Sequence, residues 1–310
     1  MTTATATEPT FRMFAVQVAA VRHLCPSVLR VTFTGDDLDR FADNGFDQRI
    51  KFFLPLESAS YDELLSLEDS GDWYGHWRSL PDDRRHPMRT YTARAVRHDR
   101  REVDVDVVLH GDLGPASRWA LTATPGDELV LAGPNAAASG PHGGVDFVPP
   151  AVTDRLLIAG DETALPAIAG ILERLPDDSR GEALIEMPSS ADRIDLAAPA
   201  GMTIRWLGRD GRAHGDLLVP AVRAAAARML PGQAPAYRVE LEDVDEDHLW
   251  EVPVDEDGRP LREMAAMYAW LAGESGVIKT LRRHLVTECG VDRKAVAFMG
   301  YWRRGKSETA

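Results

Sequence analysis

The 310-residue chain sets 35 Lys and Arg against 49 Asp and Glu, a formal net charge of −14, with 44% hydrophobic residues. That composition is globular, and the length exceeds what one compact core usually holds, so two domains are expected. An acidic chain lacks the concentrated positive surface that nucleic acid or an anionic membrane demands, so neither is an expected partner.

No run approaches the ~18 apolar residues of a membrane span, and the start MTTATATEPTFRMF has neither the basic nor the apolar part of a signal peptide. A cytoplasmic protein without membrane insertion is expected. Cys25 and Cys289 form no CxxC, and no Cys/His cluster has zinc-like spacing. Two reduced thiols and no metal site are the expectation.

In chain order, the first half reads as strands. Phe14–Val21 and Val28–Thr34 are rich in Val, Phe and Thr, with Pro26 between them, and Ile50–Leu54 is a short apolar run containing Lys51. Residues 57–88 read as loop with some helix. Thr90–Val96 and Glu102–His110 are two further strands, the second alternating through Val103, Val105 and Val107. Pro115–Leu121 reads as a short helix with Pro near its start, and Glu128–Ala132 as a strand. An antiparallel barrel or sandwich fits this half.

Residues 133–153 are a hinge by composition, from Gly133-Pro134 to Pro149-Pro150. Beyond it the pattern alternates. Arg155–Ala159 is a continuous apolar strand, Leu165–Leu175 a helix, and Ala183–Met187 and Thr203–Leu207 are strands. Asp216–Met229 is a helix, Met264–Ala272 a strand, Gly276–Thr287 a helix and Ala295–Tyr301 a last strand. Alternation of this kind predicts a doubly wound parallel sheet.

Charge is uneven along the chain. Residues 240–257 hold ten carboxylates and no Lys or Arg, and read as a solvated loop. From Val277 onward eight cations face three carboxylates, a local +5 that points to a localised anion site.

Four clusters carry chemistry. Arg89-Thr90-Tyr91-Thr92-Ala93-Arg94 puts a guanidinium, a phenol and two hydroxyls on one strand, with Arg89 and Tyr91 on one face and Thr90 and Thr92 on the other. A flavin needs a cation for its pyrophosphate, an aromatic face and a hydroxyl near its reactive nitrogen. His110-Gly111-Asp112-Leu113-Gly114-Pro115-Ala116-Ser117 runs from a strand through a glycine turn into a helix start, the arrangement of an anion cradle. Gly160-Asp161-Glu162-Thr163-Ala164 follows the first parallel strand, and Gly273-Glu274-Ser275-Gly276 follows a later one, where nucleotides bind in doubly wound sheets.

In this order and on this two-domain plan, the chain resembles the siderophore-interacting protein family, a branch of the ferredoxin-reductase-like flavoenzymes. The carrying stretches are RTYTAR (89–94), VVLHGDLGPASRWA (107–120), GDELVLAGP (126–134), LLIAGDETALPA (156–167), YAWLAGE (268–274), KTLRRHL (279–285) and FMGYWRRG (298–305).

The resemblance implies an N-terminal antiparallel FAD-binding β-barrel over 10–135, a linker over 136–153, and a C-terminal doubly wound nucleotide-binding α/β domain over 154–305. It implies that Arg89 approaches the FAD pyrophosphate, with Tyr91 against the ring and Thr92 near N5, and places Thr90 and His110 in the same site. Gly114, Pro115, Ala116 and Ser117 would hold the pyrophosphate, and Asp161, Thr163 and Ala164 would line the cofactor cleft. Trp302 would lie near the adenosine end. Lys51 and Lys279 match lysines that hold an anionic ferric siderophore, with Arg262 or Arg283 as a third cation.

The implied activity is reduction of the chelated iron with NADH or NADPH, or ferredoxin, as donor. Glu186 and Asp192 are candidates for a ribose hydroxyl, and Arg193 for a 2′-phosphate. A flavin-dependent diaphorase or ferredoxin-type reductase acting on a protein acceptor, and a non-enzymatic ferric-siderophore carrier, are the alternatives.

Overall fold

The computed structural model describes residues 8–109, 114–230 and 249–305. The chain divides into two compact units at Val145/Asp146.

The first unit is built on one curled antiparallel sheet of seven strands. They are β1 (Phe11–Cys25), β2 (Val28–Thr34), β3 (Arg49–Phe53), β4 (Met88–Thr92), β5 (Ala95–Arg97), β6 (Glu102–Val108) and β7 (Glu128–Pro134), in the order β4-β3-β7-β1-β2-β6-β5. Its ends meet where β4 passes into β5. The Ala93 N–H donates to Gln48 O of the β3 side at 2.9 Å, and the next N–H, of Arg94, donates to Asp104 O of β6 at 2.8 Å. That change of partner is why the predicted strand Thr90–Val96 is two strands.

Strand alternation sends neighbouring residues to opposite faces. Phe14, Phe52 and Leu131 enter the core inside the curl with Val31, Phe33 and Val105. Their neighbours Met13, Phe53 and Val130 face outward and pack with Leu64 and Trp77. Those two come from α1 (Tyr61–Ser66) and α2 (Trp73–Ser79), so the segment read as mostly loop is a cover over the outer sheet face. Trp77 is fully buried and its Nε1 donates to His86 O at 3.1 Å. The helix α3 (Pro115–Thr122) packs on the inner core through Ala120.

The second unit carries β8 (Val152–Thr153), β9 (Leu156–Asp161), α4 (Leu165–Arg174), β10 (Arg180–Met187), β11 (Gly201–Gly208) and α5 (Leu218–Met229). It continues with β12 (Trp250–Glu251), β13 (Met264–Ala265), β14 (Tyr268–Glu274), α6 (Ser275–Arg283) and β15 (Val296–Trp302). The main sheet has the order β11-β10-β9-β14-β15-β12, parallel except for the edge strand β12. The chain leaves β9 in one direction and returns to β14 on its other side, so the switch point lies between them. β9 is buried along its whole length, as a strand covered on both faces must be.

Two readings change in this unit. Met264–Ala272 is not one strand, because Met264–Ala265 pairs with Val152–Thr153 and only Tyr268 onward joins the main sheet. Of the acidic stretch, 240–248 lies outside the described residues, and Glu251 is no solvated loop residue. It sits on β12 and forms ion pairs with Arg282, at 3.2 Å, and with Arg293. The basic C-terminal segment is therefore partly neutralised within the fold. Arg282 is itself buried, with its guanidinium 5.4 Å from the Phe298 ring centroid.

Candidate functional site

In the first unit the candidate residues gather around β4. Antiparallel pairing sets Lys51 opposite Thr90, Ile50 opposite Tyr91 and Phe52 opposite Arg89. Lys51 Nζ donates to Thr90 Oγ1 at 2.7 Å, which fixes the ammonium on the face away from the core. Tyr91 lies on the other face, half-buried against Phe52 with ring centroids 4.5 Å apart. Arg89 Nη1 donates to the neighbouring Met88 O at 2.7 Å. Thr92 is buried at the end of the strand.

The start of α3 belongs to the same cluster. Trp119 of α3 meets Phe52 edge-on at 6.3 Å, and Phe52 in turn carries Tyr91. Among the described residues no side chain caps the helix, and Pro115 occupies its first turn. Ala116 packs on the barrel core and Ser117 is buried, and the first turn of a helix presents backbone N–H groups that its own ladder does not use. Gly114 has an ordinary extended backbone, φ −169°. A Cβ added there would meet no described atom within 4 Å. Among the described residues nothing crowds this position, and a helix start of this kind can take a bulky anion. This turn and β4 fit the pyrophosphate and ring of a flavin. His110, Gly111, Asp112 and Leu113 lie outside the described residues.

In the second unit, Asp161 at the end of β9 is 3% exposed and accepts four hydrogen bonds. Its Oδ1 takes the Thr163 N–H at 2.9 Å and the Thr163 hydroxyl at 2.5 Å. Its Oδ2 takes the Glu274 N–H at 2.8 Å and Trp302 Nε1 at 2.9 Å. The ends of β9, β14 and β15 are thus tied at one carboxylate. Burial, with the neighbouring Glu162 charge, pushes Asp161 up to about 6 against the pull of these donors. Gly273 makes the close approach possible. It has φ +145°, and a Cβ there would sit 2.7 Å from Asp161 Oδ2. Ala164 is buried beside it.

Sequence reasoning missed a charge network next to this node. Arg209 holds Glu162 with two bonds, 2.7 and 2.8 Å, and reaches Glu186 at 3.4 Å, all three being buried. Glu186 also accepts the N–H groups of Gly215, Leu217 and Leu218 at 2.9, 3.1 and 2.9 Å, which caps the start of α5. No local signal could reveal it, since Arg209 lies 47 residues from Glu162. His214 is edge-on to Trp302 at 4.8 Å, and burial holds its imidazole below the ordinary value.

Asp161, Glu162 and His214 bring one ligand-type atom each within 4.8 Å of one another. The two carboxylates are engaged by protein donors, whereas His214 Nδ1 is buried with no hydrogen-bond partner among the described residues.

These contacts reassign two candidates. Glu186 is a fully buried helix cap, and Asp192 is fully buried in a capping box, its Oδ2 accepting the Ser189 N–H at 3.0 Å. Neither carboxylate is available to a ribose hydroxyl. The start of α6 is capped in the same way, Glu274 Oε2 accepting the Val277 N–H at 2.9 Å. A cavity of about 460 Å³ beside these two helix starts is lined by His214, Asp216, Glu274 and Thr280 among others. Of the basic candidates, Lys279 and Arg283 are exposed one turn apart on α6, and Arg262 is ion-paired with Asp292.

Comparison with known proteins bears on both units. The profile of the siderophore-interacting FAD-binding domain matches residues 17–138, and that of the siderophore-interacting protein matches 153–305. An uncharacterised protein of Mycobacterium tuberculosis is 34% identical over 96% of this chain and 92% of its own length. The ferric vibriobactin reductase ViuB of Vibrio cholerae is 31% identical over 93% of this chain and 89% of its own. The NADPH-dependent ferric-chelate reductase of Escherichia coli is 27% identical over 94% and 93%.

Among solved structures, the siderophore-interacting protein SipS of Aeromonas hydrophila superposes with a TM-score of 0.65 at 29% identity. It covers 97% of this chain and 95% of its own. The ferredoxin reductase of carbazole 1,9a-dioxygenase, 15% identical over 94% of this chain and 69% of its own with a TM-score of 0.57, shares the fold. With both units matched and relatives aligned over nearly their whole length, the chain belongs to the siderophore-interacting protein family.

Proposed function

We propose that this chain is an FAD-dependent ferric-siderophore reductase of the cytoplasm. It takes electrons from NADH, NADPH or ferredoxin and reduces chelated iron(III), so that iron leaves as iron(II). The single observation that carries the reading is the packing of the α3 start, through Trp119 and Phe52, against the Arg89–Thr92 strand. The names of the relatives support the acceptor. We assign 10–135 to the FAD-binding unit, 136–153 to the linker and 154–305 to the donor-side unit.

Siderophores bind through hard oxygen donors, which hold iron(III) far more tightly than iron(II), so reduction is itself the release step. When bound, FAD supplies the conversion between a two-electron hydride donor and a one-electron acceptor. The residues bind and orient. The α3 start and the Arg89 guanidinium, which has donors beyond the one on the Met88 carbonyl, would neutralise the pyrophosphate. Tyr91 offers a ring already braced by Phe52, and Thr92 a hydroxyl toward the reactive nitrogen. Lys51, held by Thr90, is one cation for the anionic chelate, and Lys279 is another. Arg283 is the better third member, since Arg262 is ion-paired with Asp292.

The nicotinamide donor fits less well. The starts of α5 and α6, where a dinucleotide diphosphate usually rests, are capped by Glu186 and Glu274. No residue there is assigned to it. An anaerobic assay trapping iron(II) with ferrozine, across hydroxamate and catecholate chelates and with NADH, NADPH and reduced ferredoxin compared, tests the proposal. Purified protein that takes up no FAD, or yields no iron(II) with any donor, refutes it.

A further inference from the structure

The C-terminal end of α6, next to Arg283, gathers a thiol, an imidazole and a carboxylate that the function above does not use. There the helix passes into a π-helical turn over His284–Glu288, closed by the Cys289 N–H bonding to the His284 carbonyl at 2.9 Å. On a regular α-helix, residues five apart point about 140° away from each other and do not meet. The wider turn stacks them instead. Cys289 Sγ lies 3.3 Å from His284 Nε2. On the far side of the ring, His284 Nδ1 is 2.7 Å from Glu288 Oε2, an i,i+4 neighbour. Gly290, at φ +68°, then ends the helix.

The carboxylate only accepts, so Nδ1 carries the proton and Nε2 turns its lone pair toward the thiol. Nucleophile, base and orienting carboxylate thus stand in the order used for nucleophilic catalysis. The Glu288 side chain is 48% exposed, and Cys289 is half-buried at the edge of the hydrophobic core.

We propose that Cys289, His284 and Glu288 form a reactive-thiol site for exchange with small disulfides. His284 Nε2 takes the thiol proton as the sulfur bonds to one sulfur of the disulfide. The disulfide S–S bond breaks, and the departing thiolate takes the proton back from the imidazolium. Cys289 ends as a mixed disulfide and half of the reagent as a free thiol, with no other oxidant or reductant. The charges facing the thiol are Glu288 on its own turn and Arg223 from α5, with Arg283 near Glu288. Burial and Glu288 hold the thiol above its ordinary value against Arg223, so it keeps its proton until a disulfide arrives.

The test uses the full chain with one thiol at a time, Cys25→Ser or Cys289→Ser, reacted with 5,5′-dithiobis(2-nitrobenzoate) between pH 6 and 9. Cys289 should react roughly tenfold or more faster than Cys25 at pH 7, with a rate that rises at lower pH than the thiol's own ionisation allows. Adding His284→Asn should abolish the advantage and move the rise up to the thiol's range. Glu288→Gln, at an exposed position that leaves the fold intact, should lower the rate and shift the profile even if the His284 variant fails to fold. Oxidised glutathione should label the Cys289 peptide in mass spectrometry. A Cys289 no faster than Cys25, or a rate indifferent to Glu288→Gln, overturns the proposal.

Discussion

Replacing Asp161 by Asn separates the two opposing effects at the switch point. The carboxylate accepts four hydrogen bonds, from Thr163 N–H and hydroxyl, the Glu274 N–H and Trp302 Nε1. An amide has one oxygen, and with its NH₂ toward Thr163, whose hydroxyl can turn to accept, it still faces the Thr163 N–H, which costs on the order of 1–3 kcal/mol for one unsatisfied buried group. Against this, burial raises the folded pKa from the ordinary 3.8 to about 6. At pH 7 the ionised form therefore carries roughly 3 kcal/mol of unfavourable electrostatics.

The sign follows from proton uptake. Between about pH 4 and 6 the folded state binds more protons than the unfolded state, so wild-type stability falls as pH rises through that window. Asn does not titrate. The stability lead of wild type over Asp161→Asn should thus be largest near pH 4 and shrink by roughly 3 kcal/mol by pH 7. Urea midpoints at half-unit pH intervals, followed by tryptophan fluorescence, measure it. A difference that is constant across the window, or that grows toward pH 7, refutes the reasoning.

Four further outcomes are expected. Gly273→Ala forces a Cβ to 2.7 Å from Asp161 Oδ2 at φ +145°, and should cost about 3 kcal/mol, seen as a melting point lower by several degrees. Arg209→Leu leaves Glu162 and Glu186 buried without their cation, and should lower stability by about 3–5 kcal/mol in denaturant titrations. Arg89→Ala should weaken FAD binding roughly 10- to 100-fold in flavin-quenching titrations, the size of one charged hydrogen-bonded contact. Lys51→Ala and Lys279→Ala should each raise KM for an anionic ferric chelate about tenfold, a loss that shrinks as ionic strength rises.

Much of the fold follows from periodicity. Val28–Thr34 is the predicted strand without change, and RLLIA read as a strand covered on both faces because no polar residue interrupts it. Local pattern fails where partners change. Nothing within Thr90–Val96 marks the step from β3 to β6 at Ala93 and Arg94, since both bonds go to residues distant in sequence. Motif grammar brought Asp161, Thr163 and Trp302 onto one candidate list, and the structure joins them by hydrogen bonds. Glu186 looked like a ribose ligand because it ends a second parallel strand. Its tertiary role as the cap of α5 depends on Gly215 to Leu218, about thirty residues on. Buried charge pairs such as Glu162–Arg209 leave no periodic trace, because neither residue alone differs from a surface one.

The bond from Trp302 to Asp161 spans 141 residues. A chain made from its N-terminus exposes β9 and its carboxylate long before the partner indole exists, and domains form largely in the order of synthesis. Asp161 gains the Glu274 amide when β14 pairs with β9, and the indole only when β15 follows. The node is therefore completed only once β15 has been made. A stop codon placed just before Trp302 would delete the indole, and would act at the mouth of β9, 141 residues upstream.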